Sequence, residues 1–80
     1  MSINQTIQDI IINNISDAQV TVNNMGQGHF SLVVTTNEFV GKNMLAKHKL
    51  VMSAIAPLMS GSNAPVHAID NLKTMLPTPQ

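Results

Sequence analysis

Two stretches with apolar residues at every second position, Ala18, Val20 and Val22 and then Phe30, Leu32 and Val34, flank the glycine-bearing segment Asn23-Asn24-Met25-Gly26-Gln27-Gly28. Apolar side chains at every second position argue for strands with one buried face. The two glycines allow the positive φ that a tight reversal needs. The pattern predicts a β-hairpin, and a lone hairpin is marginal in water unless another element covers its apolar face.

The flanking sequence offers that cover. Ile3, Ile7, Ile10, Ile11 and Ile15 recur at one-turn intervals, which predicts an amphipathic helix over 3–15. Ser2 and Gln5 have capping-box spacing at its start, and Asn13-Asn14 weakens its end. After the hairpin, residues 39–43 read as a connection or short helical turn. A longer helix is expected over 45–59, with Leu50, Val51, Ala54, Ile55 and Leu58 as its buried stripe. Pro57 removes a hydrogen bond in the last turns and is expected to kink or loosen them. Ser60, Gly61, Ser62 and Asn63 end the helix.

A third strand is expected from Pro65 to about Leu72. Asp70 and Asn71 interrupt its alternation, which predicts a bulge or an early end to pairing. Residues 74–80 carry Pro77 and Pro79 and are expected to form an irregular tail. The order is α-β-β-α-α-β in a single domain over residues 1–80. A helical crossover between the second and third strands returns the chain in parallel. The expected architecture is therefore α+β, a three-stranded mixed sheet with helices on one face.

Composition narrows the chemistry. The 80 residues contain no Cys, which excludes a disulfide framework or a thiolate site built by this chain alone. Phe30 and Phe39 are the only aromatic residues, too few for a base-stacking platform. Four Lys balance Asp9, Asp17, Glu38 and Asp70, so there is no positive excess to drive tight nucleic-acid binding. No apolar run reaches the roughly 20 residues that span a bilayer, and the first residues lack a signal-peptide pattern. A cytoplasmic protein without membrane contact is expected. No nucleophile–base pair is evident, and Gly26-Gln27-Gly28 precedes a strand rather than the helix of a dinucleotide site. Neither an enzyme nor a small-molecule substrate is expected.

Topology brings two of the three histidines together. His29 opens the second strand and His67 the third; if these strands are parallel, both lie at one edge of the sheet beside the hairpin turn. Neutral imidazole is a good ligand for Zn, Cu and Fe, and two such ligands leave room for others. The alternative for each is a hydrogen-bonded, half-exposed strand-start histidine.

Lys42, Lys47, His48 and Lys49 gather around the start of the long helix, where a helix-turn-helix reading would set them against DNA phosphates. Lys47 and Lys49, however, are two residues apart and about 200° apart on a helix. They otherwise serve to solvate the helix, with His48 packing near its start. Gly41-Lys42-Asn43-Met44 lacks the second glycine of an RNA-clamping G-x-x-G loop. Met44, Met52 and Met59 suit gap-filling in a core poor in aromatics.

The segment FVGKNMLAKHKLV at 39–51, followed by Val66-His67-Ala68-Ile69, resembles the BolA family signature, F-x-G-(x)5-[RK]-H-[RK]-x-V and then a V-H-A-hydrophobic strand. Phe39, Gly41, Lys47, His48, Lys49, Val51, His67 and Ala68 match, as does the His29-Phe30 pair. The resemblance runs from about His29 to Ile69. It implies a BolA-like fold related to the type II KH fold, and it carries two roles. One is an adaptor in iron–sulfur cluster assembly, trafficking and iron homeostasis. Such an adaptor binds a monothiol glutaredoxin and shares a [2Fe–2S] cluster with it. The glutaredoxin cysteine and its glutathione supply thiolates, while this chain supplies His67 and a second group from the hairpin region. Family members often carry a Cys or His inside the hairpin loop; here Asn24-Met25-Gly26-Gln27 stands in that place, and His29 is the nearest candidate. The other role is transcriptional regulation through DNA, using Lys42, Lys47, His48 and Lys49. Many members continue into a further C-terminal helix, which is not expected here.

Overall fold

The computed structural model describes residues 2–61 and 63–77. Helix α1 spans Ile3–Asn14, strand β1 Gln19–Gly26 and strand β2 His29–Thr35. Helix α2 spans Met44–Met59 and strand β3 Ala68–Met75. The sheet order is β1-β2-β3, with β2 central, antiparallel to β1 and parallel to β3. The mixed sheet is therefore as the crossover argument required.

The first helix starts where Ser2 Oγ accepts a hydrogen bond from the Gln5 backbone N–H. Only this half of the capping box forms, because the Gln5 side chain donates to Asp9 Oδ1 instead. Twelve residues are too few for a stable isolated helix in water. Burial of Ile7, Ile11 and the capping Ile15 holds it, each contributing about 1.5–3 kcal/mol. Gln8 and Asn4 also donate to the carbonyls of Val20 and Val22, so α1 shields the edge that β1 would leave open.

Phe30, Leu32 and Val34 on β2 are buried and form the sheet side of the core. Phe39, Val51, Ala54, Ile55 and Val66 complete it with Ile7, Ile11 and Ile15. Thr36, buried at the end of β2, donates to the Ser16 carbonyl and accepts from the Glu38 N–H. It thereby joins the α1–β1 connection to the next turn.

Three boundaries differ from the sequence expectation. The reversal is shorter than Asn23–Gly28: β1 continues to Gly26, Met25 is left unpaired in a bulge, and only Gln27 and Gly28 turn. Both have positive φ, as a type I′ turn requires. The short helical element is a single 3-10 turn at Asn37–Phe39, earlier than 39–43, because Thr36 caps it and Phe39 must reach the core after one turn. Helix α2 ends at Met59 as expected, with Pro57 inside it, and Asn43 Oδ1 caps its start. Gly61 follows with φ +90°, whereas Ser62 lies outside the described residues.

The largest difference is in β3, which starts at Ala68 rather than Pro65 and pairs as far as Met75. Proline has no N–H to donate to a ladder. Residues 74 and 75, expected in the tail, are therefore strand, while 78–80 of that tail lie outside the described residues. Pairing survives the polar interruption because Asp70 is bulged out: Phe30 faces Ile69, but Ser31 faces Asn71. A one-residue slip moves every later side chain to the other face. The bulge thus puts Leu72 opposite Leu32, on the core side, where uninterrupted pairing would have put Asn71.

Candidate functional site

The hairpin turn and the start of β3 are stitched together at one atom. The Gly28 carbonyl accepts hydrogen bonds from both His67 N–H (2.8 Å) and Ala68 N–H (3.1 Å). A Cβ on Gly28 would lie 2.8 Å from His67 Cβ and 3.2 Å from His67 N, and its φ is +78°. Only glycine lets the two segments come this close. Val66 N–H donates to the Leu58 carbonyl, which ties the other side of this connection to the end of α2.

This stitching places the His29 and His67 rings with centroids 5.7 Å apart and planes tilted by 46°. Metal–imidazole bonds of about 2.0–2.1 Å set two rings on one ion roughly 5–6 Å apart, so the spacing suits two imidazoles on one metal. His67 is exposed and the His29 side chain is 39% exposed, so both are reachable from outside. His29 Nδ1 lies 2.8 Å from Asp70 Oδ1. Among the described residues no three His, Cys, Asp or Glu side chains form a cluster that could hold a metal ion. The pair therefore needs ligands from elsewhere. In centres where two His serve one iron of a [2Fe–2S] cluster, thiolates hold the other iron.

In the sequence Asp70 is one of the four acids and a break in the strand alternation, and neither feature marks it as a partner of His29. The signal that could have found its role is that break itself. A polar pair between Ile69 and Leu72, three positions after His67, calls for a bulge, and a bulge re-aims one side chain. The hairpin residues offer no competing ligand. Asn24 Oδ1 accepts from the Gly26 N–H, and Met25 is the bulged residue.

The basic segment lies at the other end of the sheet. The crossover starts α2 beside the end of β3, where Thr74 Oγ1 meets Met44 Sδ. Lys42 and Lys49 are exposed, whereas Lys47 and His48 are half-buried. Lys42 Nζ donates to the Glu38 carbonyl, and His48 Nε2 is buried without a hydrogen-bond partner. Exposed Val40, Met44 and Leu45 stand among these cations. The four residues do not form one basic stripe. No helix of the described residues is long and apolar enough to cross a membrane.

A small α+β domain with a two-histidine edge and no thiolates is the class that fold and site define. The sequence profile of the BolA-like protein family matches residues 3–78, and the chain belongs to that family. Among solved structures it is similar to a BolA homologue from Coxiella burnetii, at 32% identity and TM-score 0.75, covering 96% of this chain and 94% of that one. A BolA-like protein from Babesia bovis is 28% identical with TM-score 0.72, covering 96% and 87%. The BolA domain of SufE1 from Arabidopsis thaliana shares the fold, with TM-score 0.78 at 18% identity over 96% and 94%. Among curated proteins none matches the chain.

Proposed function

We propose that this chain is a non-enzymatic adaptor in iron–sulfur cluster assembly, trafficking and iron homeostasis. It binds a monothiol glutaredoxin and shares a [2Fe–2S] cluster through His67, with His29 as the second imidazole. The observation that carries this reading is the pair of accessible imidazoles 5.7 Å apart at the Gly28 edge, in a family member without a single cysteine. The cluster is cargo: the glutaredoxin cysteine and its glutathione hold it on one side, and this chain's histidines meet it on the other. Neutral imidazoles add no charge to the anionic, thiolate-held cluster, and their exposure lets a partner approach without unfolding either strand.

Titration of cluster-loaded monothiol glutaredoxin with this protein should change the visible absorption and circular dichroism, and His67→Ala should remove the change. An unchanged spectrum with the wild-type chain, or the same response from His67→Ala, overturns the proposal.

The rival reading, a DNA-binding regulator, draws on Lys42, Lys47, His48 and Lys49. Two exposed cations beside Val40, Met44 and Leu45 give a phosphate backbone little to grip, and net charge is zero. The cluster reading is the better supported.

A further inference from the structure

We infer that Asp70 is a positioning residue that makes His29 the second imidazole ligand: its carboxylate holds the proton on Nδ1, leaving the Nε2 lone pair free on a ring whose centroid is 5.7 Å from that of His67. This rests on the reading that His67 meets the cluster, and it assigns the group with which this chain replaces the absent loop ligand.

A carboxylate accepts hydrogen bonds and does not donate them, so the 2.8 Å contact between Asp70 Oδ1 and His29 Nδ1 requires the proton on Nδ1. A neutral imidazole then has one remaining lone pair, on Nε2. A histidine that binds metal through one nitrogen commonly gives its other N–H to a carboxylate, which fixes the ring and raises its basicity. The contact joins residues 41 positions apart. In the β3 ladder Ala68 is level with His29, and Asp70, bulged out between the partners of Phe30 and Ser31, reaches back to the His29 ring. Stability does not explain it: both side chains are substantially exposed, 39% and 46%, and exposed pairs of this kind add little to folding. The third histidine, His48, lies on α2 away from this edge, so His29 is the imidazole that can join His67 among the described residues.

The first test is made on the metal-free chain labelled with 15N. Long-range proton–nitrogen correlation spectra of wild type should show His29 with a protonated Nδ1 and an unprotonated Nε2. Asp70→Ala should shift His29 toward the Nε2–H tautomer, and Asp70→Glu should restore the original form. The second test uses cluster-loaded glutaredoxin. Asp70→Ala should weaken the spectral response about 10–100-fold, the usual effect of removing a group that orients a metal ligand. Adding Asp70→Ala to His29→Ala should cost nothing further, because a residue that acts through another is silent once that other is gone. An Nε2–H tautomer in wild-type His29, or a loss that adds in full on the His29→Ala background, overturns the assignment of Asp70. If His67→Ala abolishes the response and Asp70→Ala leaves it intact, the assignment falls while the cluster reading stands. If no histidine variant changes the response, both fall.

Discussion

At the start of α2, Lys42, Lys47, His48 and Lys49 come from eight consecutive residues, whereas His29 and Asp70 at the hairpin edge come from strands 41 positions apart. The first group looks like a site in the sequence and disperses in space. Helical geometry sends Lys47 and Lys49 to different sides, and packing half-buries Lys47 and His48. The second group looks like unrelated residues and converges, because a parallel crossover brings two strand starts to one edge. Adjacency in sequence is poor evidence for a shared surface on a helix. Equivalent positions on parallel strands are better evidence.

Substitutions around the α2 start, whatever they cost in stability, should leave the cluster response in place, and those that disturb the histidine edge should remove it. The largest stability effect is expected for Phe39→Ala, because Phe39 is fully buried beside α2. Urea unfolding should show a loss of about 3–5 kcal/mol, on the scale of the whole stability of a small domain. Gly28→Val should come next, at about 1–3 kcal/mol for a side chain forced into positive φ against His67, and it should also abolish the response to cluster-loaded glutaredoxin. Gly26→Ala sharpens this point. A Cβ there meets nothing within 4 Å, so it should cost less and leave the response in place.

Asn43→Ala removes the N-cap of α2 and should cost about 1 kcal/mol in the same unfolding assay, with the cluster response unchanged. His67→Ala reverses that pattern: an exposed side chain is lost for less than about 0.5 kcal/mol, yet the cluster response disappears. The smallest stability change is expected for Lys42→Ala with Lys49→Ala, also within about 0.5 kcal/mol. If these two variants soften the salt dependence of binding to a promoter fragment by about one unit of slope for each lysine, the basic end has a role of its own. Equal loss of cluster response from the lysine and histidine variants would break the contrast.

Much of the fold was legible because period carries it. Ile7, Ile11 and Ile15, the Phe30-Leu32-Val34 alternation and the Val51-Ala54-Ile55 stripe all occupy the core. The boundaries were less legible because each depends on a contact distant in sequence. Met25 can bulge and let β1 continue because β2 pairs past it. Pairing in β3 reaches Met75 because Asp70 leaves the ladder and Leu72 regains Leu32. The juxtaposition of His29 with His67 was readable from topology, but the His29–Asp70 contact was not. Which way a bulge turns its extra residue depends on the partner strand.

By itself, the sequence determined the class of fold, the lack of thiolates, and the end of the sheet at which His29 and His67 meet. Periodicity, composition and the crossover rule act on residues close in the chain or on the connections between elements. Only the tertiary structure decided which glycine admits His67, which nitrogen of His29 faces a carboxylate, and how far the lysines spread. Those outcomes follow from atoms meeting at 2.8 Å across strands, where a single residue of register changes every partner.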